Sequence, residues 1–535
     1  MPNQSSALPR YGLRGAIVTM DAGQVIADGV VYIDAATGLI AAVQAVDAPQ
    51  PVGFEAAPVI NTRGTIYPGL IELHNHLCYN TLTLWQVPRQ WDHRDQWPNH
   101  ADYLRLIRGP AQTLGADHAD TYLPAIVRYV EAKCLMAGVT STQGLTLRGT
   151  NTLTEFKGNV RNVESPGHAM LVKANARIGD VKPGEAEAFR NRLVNETCVL
   201  LHLSEGRSGD DTALSRFDRL QLANGVDWAI APALAAIHGA ALRPAELELL
   251  RQGGASLVWS PTSNLLLYGT TADVATARAK GLRIGLGSDW SPSGSKNLLG
   301  ELKTARLFSQ HNGDLFSDED LVALATRDAA TILGWGGALG KVKAGMLADL
   351  VVIRTRAGDP YARLLESTEA DIGLVVIGGA PRYGRKSLLR RFTSRLEPWT
   401  VGGQAQAFDF ELSTPESPIV VDLALRAAVD LLTDGFARLP ELATASAGGG
   451  GGGFLGVAGG PAGGATPALW RLDFDDDVDA AFFSGAGSAV RYKDVAVPVQ
   501  LDPLTVVDDP GYFGRFSQQL EHVPEWLRHG LPDLY

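Results

Sequence analysis

From about residue 67 to residue 340, short β-rich runs alternate with longer amphipathic helical stretches. The clearest runs are LIELHNH (70–76), GVTSTQG (138–144), AMLVKANARI (169–178), CVLLHLSEG (198–206), WAIAPALAAIHG (228–239), ASLVWSPTSN (255–264) and LRIGLGSDW (282–290). Helical segments such as 243–254 and 272–281 lie between them. This alternation is typical of parallel strands connected by helices, so it predicts an α/β fold with a parallel sheet or barrel.

The sequence on both sides of this region has a different pattern. Residues 1–66 consist of short β-runs broken by turn residues, and residues 341–412 return to the same pattern. We therefore expect the two flanks to form one small β-domain beside a barrel domain over 67–340. Residues 413–535 form a C-terminal extension, with an amphipathic helix at 420–443 and a flexible glycine-rich linker at 446–464.

Composition excludes several classes of function. A net charge of −11 argues against non-specific nucleic-acid binding, which needs a basic surface. The three cysteines lack C-x-x-C spacing, so we expect no disulfide framework and a cytoplasmic protein. We predict no membrane span, because no run reaches the roughly 18 apolar residues that one requires, and no signal peptide core is present.

Polar residues recur at the carboxyl ends of the β-runs, where a barrel carries its reactive groups. They are His74, His76, His202, Glu205, His238 and Asp289. His74 and His76 are two residues apart, so both side chains point to the same side of one strand end. Imidazole and carboxylate groups are the usual ligands of zinc and similar ions. Each residue alone is better explained as a structural group, but their joint placement at strand ends predicts a metal site.

These residues lie in motifs that carry a family resemblance. YPGLIELHNHL, LHLSEG, AAIHGA, WSPTSNLLLYG, GLGSDW and ATRDAATILGWGGALGKVKAGMLADLVVI cover most of residues 11–395. In this order they resemble the amidohydrolase superfamily, in particular its cytosine-deaminase and triazine-hydrolase-like branch. The resemblance implies a metal-bearing (β/α)₈ TIM barrel, with a β-sandwich domain built from 1–66 and 341–412.

The resemblance also implies roles for the individual residues. His74, His76, His202 and Asp289 are expected to bind one divalent ion, zinc first and iron second. Glu205, in His-x-x-Glu spacing, is expected to carry a proton, and His238 to orient the attacking water or polarise the substrate. Asp289 would also help to accept the proton of the water. The implied activity is hydrolysis of a non-peptide C–N bond, with metal-activated water attacking a nitrogen heterocycle or a related cyclic compound.

The loop after His76 departs from the branch and contains Trp85, Trp91 and Trp97. These aromatic residues either form an apolar wall over a flat substrate or pack the loop onto the barrel. We name Trp85, Trp91, Lys173 and Asn264 as candidate substrate contacts. The extension beyond residue 412 has no functional interpretation, and its end is expected to dock on the barrel or on a neighbouring subunit.

Two alternative functions remain open. Lys173 lies in the fourth β-run, where binuclear relatives carry a carboxylated lysine, and that arrangement would make His202 and His238 both ligands in an amidase. The spacing of Glu205 favours the one-metal version. The other alternative is a catalytically silent barrel used as a scaffold. In each case we expect a small-molecule ligand rather than a nucleic acid or membrane, and a homo-oligomer, with a dimer as the default.

Overall fold

A computed structural model describes residues 8–148, 153–155, 158–177, 179–355, 357–410, 423–447, 470–472, 491–519 and 522–535. The predicted glycine-rich linker at 446–464 lies, except for its first two residues, outside this part of the chain. The start of the predicted extension, 413–422, also lies outside it.

The strands follow one another along the chain as β1 (Arg10–Val18), β2 (Val25–Asp34), β3 (Leu39–Ala45), β4 (Val59–Pro68), β5 (Leu70–Glu72), β6 (Val139–Thr142), β7 (Thr146–Arg148), β8 (Leu153–Glu155), β9 (Arg161–Asn162), β10 (Asn175–Arg177), β11 (Val199–Leu203), β12 (Leu234–His238), β13 (Ser256–Trp259), β14 (Arg283–Leu286), β15 (Leu350–Ile353), β16 (Ile372–Ile377), β17 (Ala380–Arg385), β18 (Glu397–Val401), β19 (Gln404–Phe408) and β20 (Arg471–Leu472). The α-helices are Ala101–Tyr103, Gly109–Gln112, Ala119–Met136, Ala186–Asn195, Asp211–Asp218, Pro244–Gln252, Pro261–Tyr268, Val274–Ala279, Leu298–His311, Asp318–Leu324, Arg327–Ile332, Pro360–Glu366, Lys386–Leu389, Leu425–Ala437, Leu439–Ala447, Tyr492–Val495, Tyr512–Ser517 and Glu525–Gly530. Leu104–Arg108 and Thr113–Asp117 are π-helical, and Leu77–Tyr79, Trp97–Asn99, Glu369–Asp371 and Pro532–Leu534 are 3₁₀ turns.

The two flanks of the chain form one nine-stranded sheet. Its strand order is β18-β19-β17-β16-β15-β4-β1-β2-β3. The flanks meet where β15 pairs antiparallel with β4, with Leu350 opposite Pro68. Alternate side chains of these strands, including Tyr11, Ile33 and Val352, pack into a separate apolar core. The described strands of the two flanks therefore belong to one sheet, while the β-sandwich domain and its bounds stay a prediction.

Among the described residues of the central region, eight parallel strands form two ladders. One ladder contains β5, β6 and β9, and the other runs from β10 to β14 in chain order. The backbone N–H of Leu73 donates to the carbonyl of Leu286 (3.2 Å), which joins the first strand to the last. The N–H of Ala174 donates to the carbonyl of Val163 (2.9 Å), which joins the two ladders at the other junction.

Strands β11 and β12 are buried along their whole length. Their apolar runs are nearly continuous because both faces of a parallel sheet are covered. The predicted helical segments at 243–254 and 272–281 correspond to Pro244–Gln252 and Val274–Ala279. Proline at the first turn and an Asp273 side chain that caps the N–H of Thr276 explain where these two helices begin.

The described segments between residues 423 and 535 pack on the central α/β region of the same chain. The helix Leu425–Ala437 packs on Ala119–Met136, and a Cβ at Gly435 would lie 2.5 Å from the ring of Tyr122. Phe516 and Leu527 share an apolar core with Leu266. No helix within the described residues is long and apolar enough to cross a membrane.

Candidate active site

The six residues that the sequence placed at strand ends come together in the structure. The donor atoms of His74, His76 and Asp289 lie within 4.8 Å of one another, and so do those of His74, His202 and His238. His202 and His238 belong to strands β11 and β12, whereas His74 and His76 follow β5 and Asp289 follows β14. Glu205, His202, His238 and Asp289 are each buried, at 7%, 3%, 1% and 4% exposure. The site is therefore formed by the carboxyl ends of different strands.

The backbone is strained at three positions of this site. Ser204, His238 and Asp289 have φ angles of 50°, 65° and 68°. A residue with a Cβ rarely adopts this left-handed region, at a cost of about 1–3 kcal/mol each. Sharp turns at the strand ends redirect the side chains of His238 and Asp289, and such strain is concentrated at functional sites.

The proton of His74 is placed by an amide. The Gln143 Oε1 atom lies 3.0 Å from His74 Nδ1 and also accepts the backbone N–H of Asn75 at 3.2 Å. A backbone N–H can only donate, so this amide atom is an acceptor and the Nδ1 of His74 carries a hydrogen. The Nε2 atom of His74 is left to face the interior of the site.

These residues fit a bound metal ion. His74 Nε2 lies 3.0 Å from Asp289 Oδ1, but it makes no hydrogen bond within the described part of the chain. The same oxygen lies 3.5 Å from His76 Nε2. Two such electron-rich atoms can lie this close only with a cation between them, which is either a metal ion or a proton on the ring. Nitrogen and carboxylate oxygen donors of this kind suit zinc and similar divalent ions.

The charges around Asp289 support the same conclusion. Burial opposes the charged carboxylate, but the adjacent His74 outweighs this effect and holds the pKa of Asp289 well below its usual range. Burial also favours neutral imidazole and lowers the pKa of His76 to about 4. The Ser263 hydroxyl donates to Asp289 Oδ2 at 2.6 Å and orients the carboxylate. The candidate ligands are thus a carboxylate surrounded by imidazoles, of which His76 is neutral at pH 7.

Glu205 is arranged to exchange a proton near neutral pH. Burial raises the pKa of Glu205 to about 7. The Tyr268 hydroxyl donates to Glu205 Oε1 at 2.6 Å, while Arg94 Nη1 and His238 Nε2 lie 3.8 and 3.7 Å from Oε2. The indole N–H of Trp97 donates to the Tyr268 hydroxyl oxygen at 3.1 Å. The carboxyl group is therefore held on one oxygen and keeps the other toward His238.

One short helix supplies several of these contacts. Pro261–Tyr268 begins directly after β13, with proline in its first turn, and ends before Gly269, whose φ is 70°. Asn264 and Tyr268 are four residues apart and therefore lie on one face of the helix. Tyr268 contacts Glu205, and the Asn264 Nδ2 atom lies 3.0 Å from His238 Nδ1.

The four predicted substrate contacts are placed differently from the ligands. Trp85 and Trp91 are each 3% exposed, and their backbone N–H groups donate to Pro292 and Leu267 (2.6 and 2.8 Å), so both anchor the loop. Asn264 is fully buried against His238. Lys173 is exposed and precedes β10, at the opposite end of the strand from the site. Of the three loop tryptophans, Trp97 is the one that reaches the Tyr268–Glu205 pair.

Gln143, Ser263 and Tyr268 belong to the site, but no role for them is predicted from the sequence. All three lie inside runs that were singled out, GVTSTQG and WSPTSNLLLYG. Their spacing from the ligands carries no local pattern, since Gln143 is 69 residues from His74 and Tyr268 is 63 from Glu205. Their position inside the runs GVTSTQG and WSPTSNLLLYG could have marked these residues as part of the site, but it does not indicate which residue each one contacts.

Comparisons with known proteins point to one family. Residues 197–381 match the amidohydrolase family model, and this range contains His202, Glu205, His238 and Asp289. A 5-methylthioadenosine/S-adenosylhomocysteine deaminase of Syntrophobacter fumaroxidans is 34% identical over 174 residues, which are 32% of this chain and 39% of that protein. A 5′-deoxyadenosine deaminase of Methanothermobacter thermautotrophicus is 25% identical over 420 residues, 70% of this chain and 90% of that protein. The crystal structure of an adenosine deaminase from Xanthomonas campestris with bound zinc shares the fold, with a TM-score of 0.58 and 17% identity over 81% of this chain and 98% of that one.

Proposed function

We propose that this chain is a metal-dependent hydrolase of carbon–nitrogen bonds of the amidohydrolase superfamily, and that it removes the exocyclic amino group of a 6-aminopurine nucleoside altered at its 5′ position. The observation that supports hydrolytic deamination is the convergence of the ligand set with Glu205 and His238 in one buried site. The substrate class is supported by the relatives, two of which are named for adenosine derivatives of this type.

The reaction adds one water molecule across the C–N bond. A C–O bond forms at the ring carbon, the C–N bond breaks, and ammonia leaves. A divalent ion held by His74, His76, His202 and Asp289 would supply the acidity that lets water lose a proton near neutral pH, lowering its pKa to about 7 in the case of zinc.

Side chains of the protein carry out the proton transfers. Neutral Glu205 donates its proton to the ring nitrogen, and the resulting carboxylate accepts a proton and passes it to the departing amine. The pKa of Glu205 near 7 suits both directions of transfer. Asp289 is a carboxylate in the resting site, because its pKa lies far below neutral; it accepts a proton from the attacking water and returns it to Glu205 at the end of the cycle. Each transfer of this kind contributes about 10²–10⁴ in rate.

We further infer a site with one ion in a closed (β/α)₈ barrel over 67–340. The two backbone junctions between the ladders support closure, and the exposed position of Lys173 before β10 speaks against a bridging lysine. The β-domain would comprise 1–66 and 341–412, with 413–535 as an added layer. Zinc as the native metal, a homo-oligomeric state and a cytoplasmic location stay predictions.

The proposal is tested by substrate turnover and metal content. The zinc-loaded protein is incubated with adenosine, 5′-deoxyadenosine, 5′-methylthioadenosine, guanine, cytosine and an aminotriazine, and ammonia release is measured. We expect the 5′-altered adenosines to react fastest, with about one ion per chain. Glu205→Gln should lose at least about 10²-fold in kcat. Glu187→Gln, an exposed residue in Ala186–Asn195, is the matched control and should retain activity.

Three outcomes would change the assignment. No turnover on the whole panel with metal-loaded protein would favour the silent scaffold. Full activity of Glu205→Gln would remove the proposed proton carrier. Two ions per chain, with loss of one in Lys173→Ala, would favour the binuclear amidase.

A further inference from the structure

We propose that a chain of hydrogen bonds, buried except at the half-buried Thr271, keeps the proton of His238 on Nε2. The chain consists of Trp259, Thr271 and Asn264, which act as positioning residues. His238 would then face the reaction as a hydrogen-bond donor and not as a metal ligand. The inference deepens the proposed function and rests on it only for the use that is made of this donor.

The direction of donation along these hydrogen bonds is determined by Trp259, the member farthest from His238. Trp259 is fully buried, and its indole N–H donates to Thr271 Oγ1 at 2.8 Å. An indole nitrogen can only donate, so Thr271 accepts this bond. The single hydrogen of the threonine hydroxyl then remains for its second contact, Asn264 Oδ1 at 3.2 Å.

The orientation of the Asn264 amide then determines which of its atoms faces His238. Because its oxygen accepts from Thr271, its NH₂ group is the part that faces His238 Nδ1, at 3.0 Å. An NH₂ group donates, so the Nδ1 atom must accept and cannot carry a proton. Asn264 is fully buried, which leaves its amide no water with which to exchange partners. Neutral His238 therefore keeps its one ring proton on Nε2.

His74 and His238 each have an amide partner, but the two amides place the ring proton on different nitrogens. Gln143 presents an oxygen to His74, so the Nδ1 of His74 is protonated and its Nε2 can bind a metal. Asn264 presents nitrogen to His238, whose Nε2 is thereby a donor 3.7 Å from Glu205 Oε2. Proximity places both rings in one possible ligand group. The hydrogen-bond directions assign one ring to the metal and the other to the water, the substrate or Glu205.

The test uses an isosteric substitution at Asn264 that reverses the direction of its hydrogen bond with His238. In Asn264→Asp, the new carboxylate would accept from Nδ1, which moves the proton away from Nε2. Thr271→Val removes the hydroxyl, and Thr271→Ser is the matched conservative control. Zinc-loaded protein labelled with ¹⁵N-histidine is used to read the tautomer by NMR, with the His238 signal assigned by its loss in His238→Asn. The rate and the zinc affinity, measured by competition with a chelator, are determined on the same samples.

In the wild type we expect a bare Nδ1 and a protonated Nε2. Asn264→Asp should reverse this pattern and lower kcat by about 10²–10³-fold, because the donor is lost. Thr271→Val should lower kcat about tenfold, the equivalent of one hydrogen bond, and Thr271→Ser should behave as wild type. Zinc affinity should not fall in any of the three, which distinguishes a changed tautomer from a collapsed site.

A proton on Nδ1 in the wild type would overturn the inference. Equal tautomers and equal rates for Thr271→Val and Thr271→Ser would also overturn it. The tautomer is read without substrate, so failure of the proposed deamination leaves this readout intact, and the two failures are distinguishable.

Discussion

The most informative single change outside the metal site is Asp502→Asn. Asp502 belongs to the C-terminal extension and is 1% exposed. Its two oxygens lie 2.8 Å from Lys133 Nζ and 2.6 Å from Lys296 Nζ. Burial lowers the pKa of Lys133 to about 8 even beside this carboxylate, so the ammonium group depends on its partner.

The expected loss in the free energy of unfolding depends on which charged partners Lys133 and Lys296 retain in this variant. Removing one partner of a buried ion pair costs about 3–5 kcal/mol. Lys296 would retain Asp509, whose Oδ2 lies 3.0 Å away, so the loss falls mainly on Lys133. We therefore expect the lower end, about 3 kcal/mol in the free energy of unfolding, or roughly 150-fold in the folding equilibrium.

The effect should also reach the active site. Lys133 Nζ donates to the carbonyl of Asn80 and to the hydroxyl of Ser291, each at 2.8 Å. These residues lie four positions after His76 and two after Asp289. Loss of the Lys133 charge would loosen both ligand loops, so zinc affinity should fall together with stability.

Urea unfolding followed by tryptophan fluorescence gives the stability, and chelator competition gives the zinc affinity. Asp508→Asn is the matched control, since Asp508 is exposed and its partners are Thr505 and Gly402. The double variant Asp502→Asn with Lys133→Met should recover most of the stability, because it removes the unpaired charge. A loss below about 1 kcal/mol in Asp502→Asn, or no recovery in the double variant, would refute this reasoning.

Three further predictions concern single groups. Tyr268→Phe removes the donor to the Glu205 carboxylate, so it should raise the pKa of Glu205 above about 7 and move the corresponding limb of the kcat/KM pH profile upward; an unmoved limb would contradict the contact. Gln143→Leu should weaken zinc binding about 10–100-fold by freeing the His74 ring, as measured by chelator competition; unchanged affinity would count against the assigned tautomer. Burial raises the pKa of Glu301 to about 7, so unfolded chains release its proton first and stability should fall by about 3 kcal/mol as pH rises from 4.5 to 7. Urea unfolding of Glu301→Gln should lack this decline, and a decline equal to that of the wild type would disprove it.

Some of the molecule could be predicted from local pattern. The alternation of β-runs and helices indicated parallel strands, and polar residues at the run ends identified His74, His76, His202 and Asp289 as neighbours. This succeeds because side-chain direction along a strand repeats every two residues, and because parallel strands bring their carboxyl ends to one edge.

The partners of these residues could not be predicted in the same way. Gln143, Tyr268 and Asp502 reach their contacts across 69, 63 and 369 residues of sequence. Short polar runs such as STQG contain several equally suitable donors and acceptors, and only packing decides which one faces the site.

The sequence by itself indicated the alternation of strands and helices and the strand ends on which the candidate ligands lie. The tertiary structure alone decided which amide atom faces each imidazole, what holds Glu205, and how the C-terminal extension contacts the loops after His76 and Asp289. The physical reason is that strand periodicity is a local property of the chain. The direction of a buried hydrogen bond depends instead on donors and acceptors that meet only after the chain has folded.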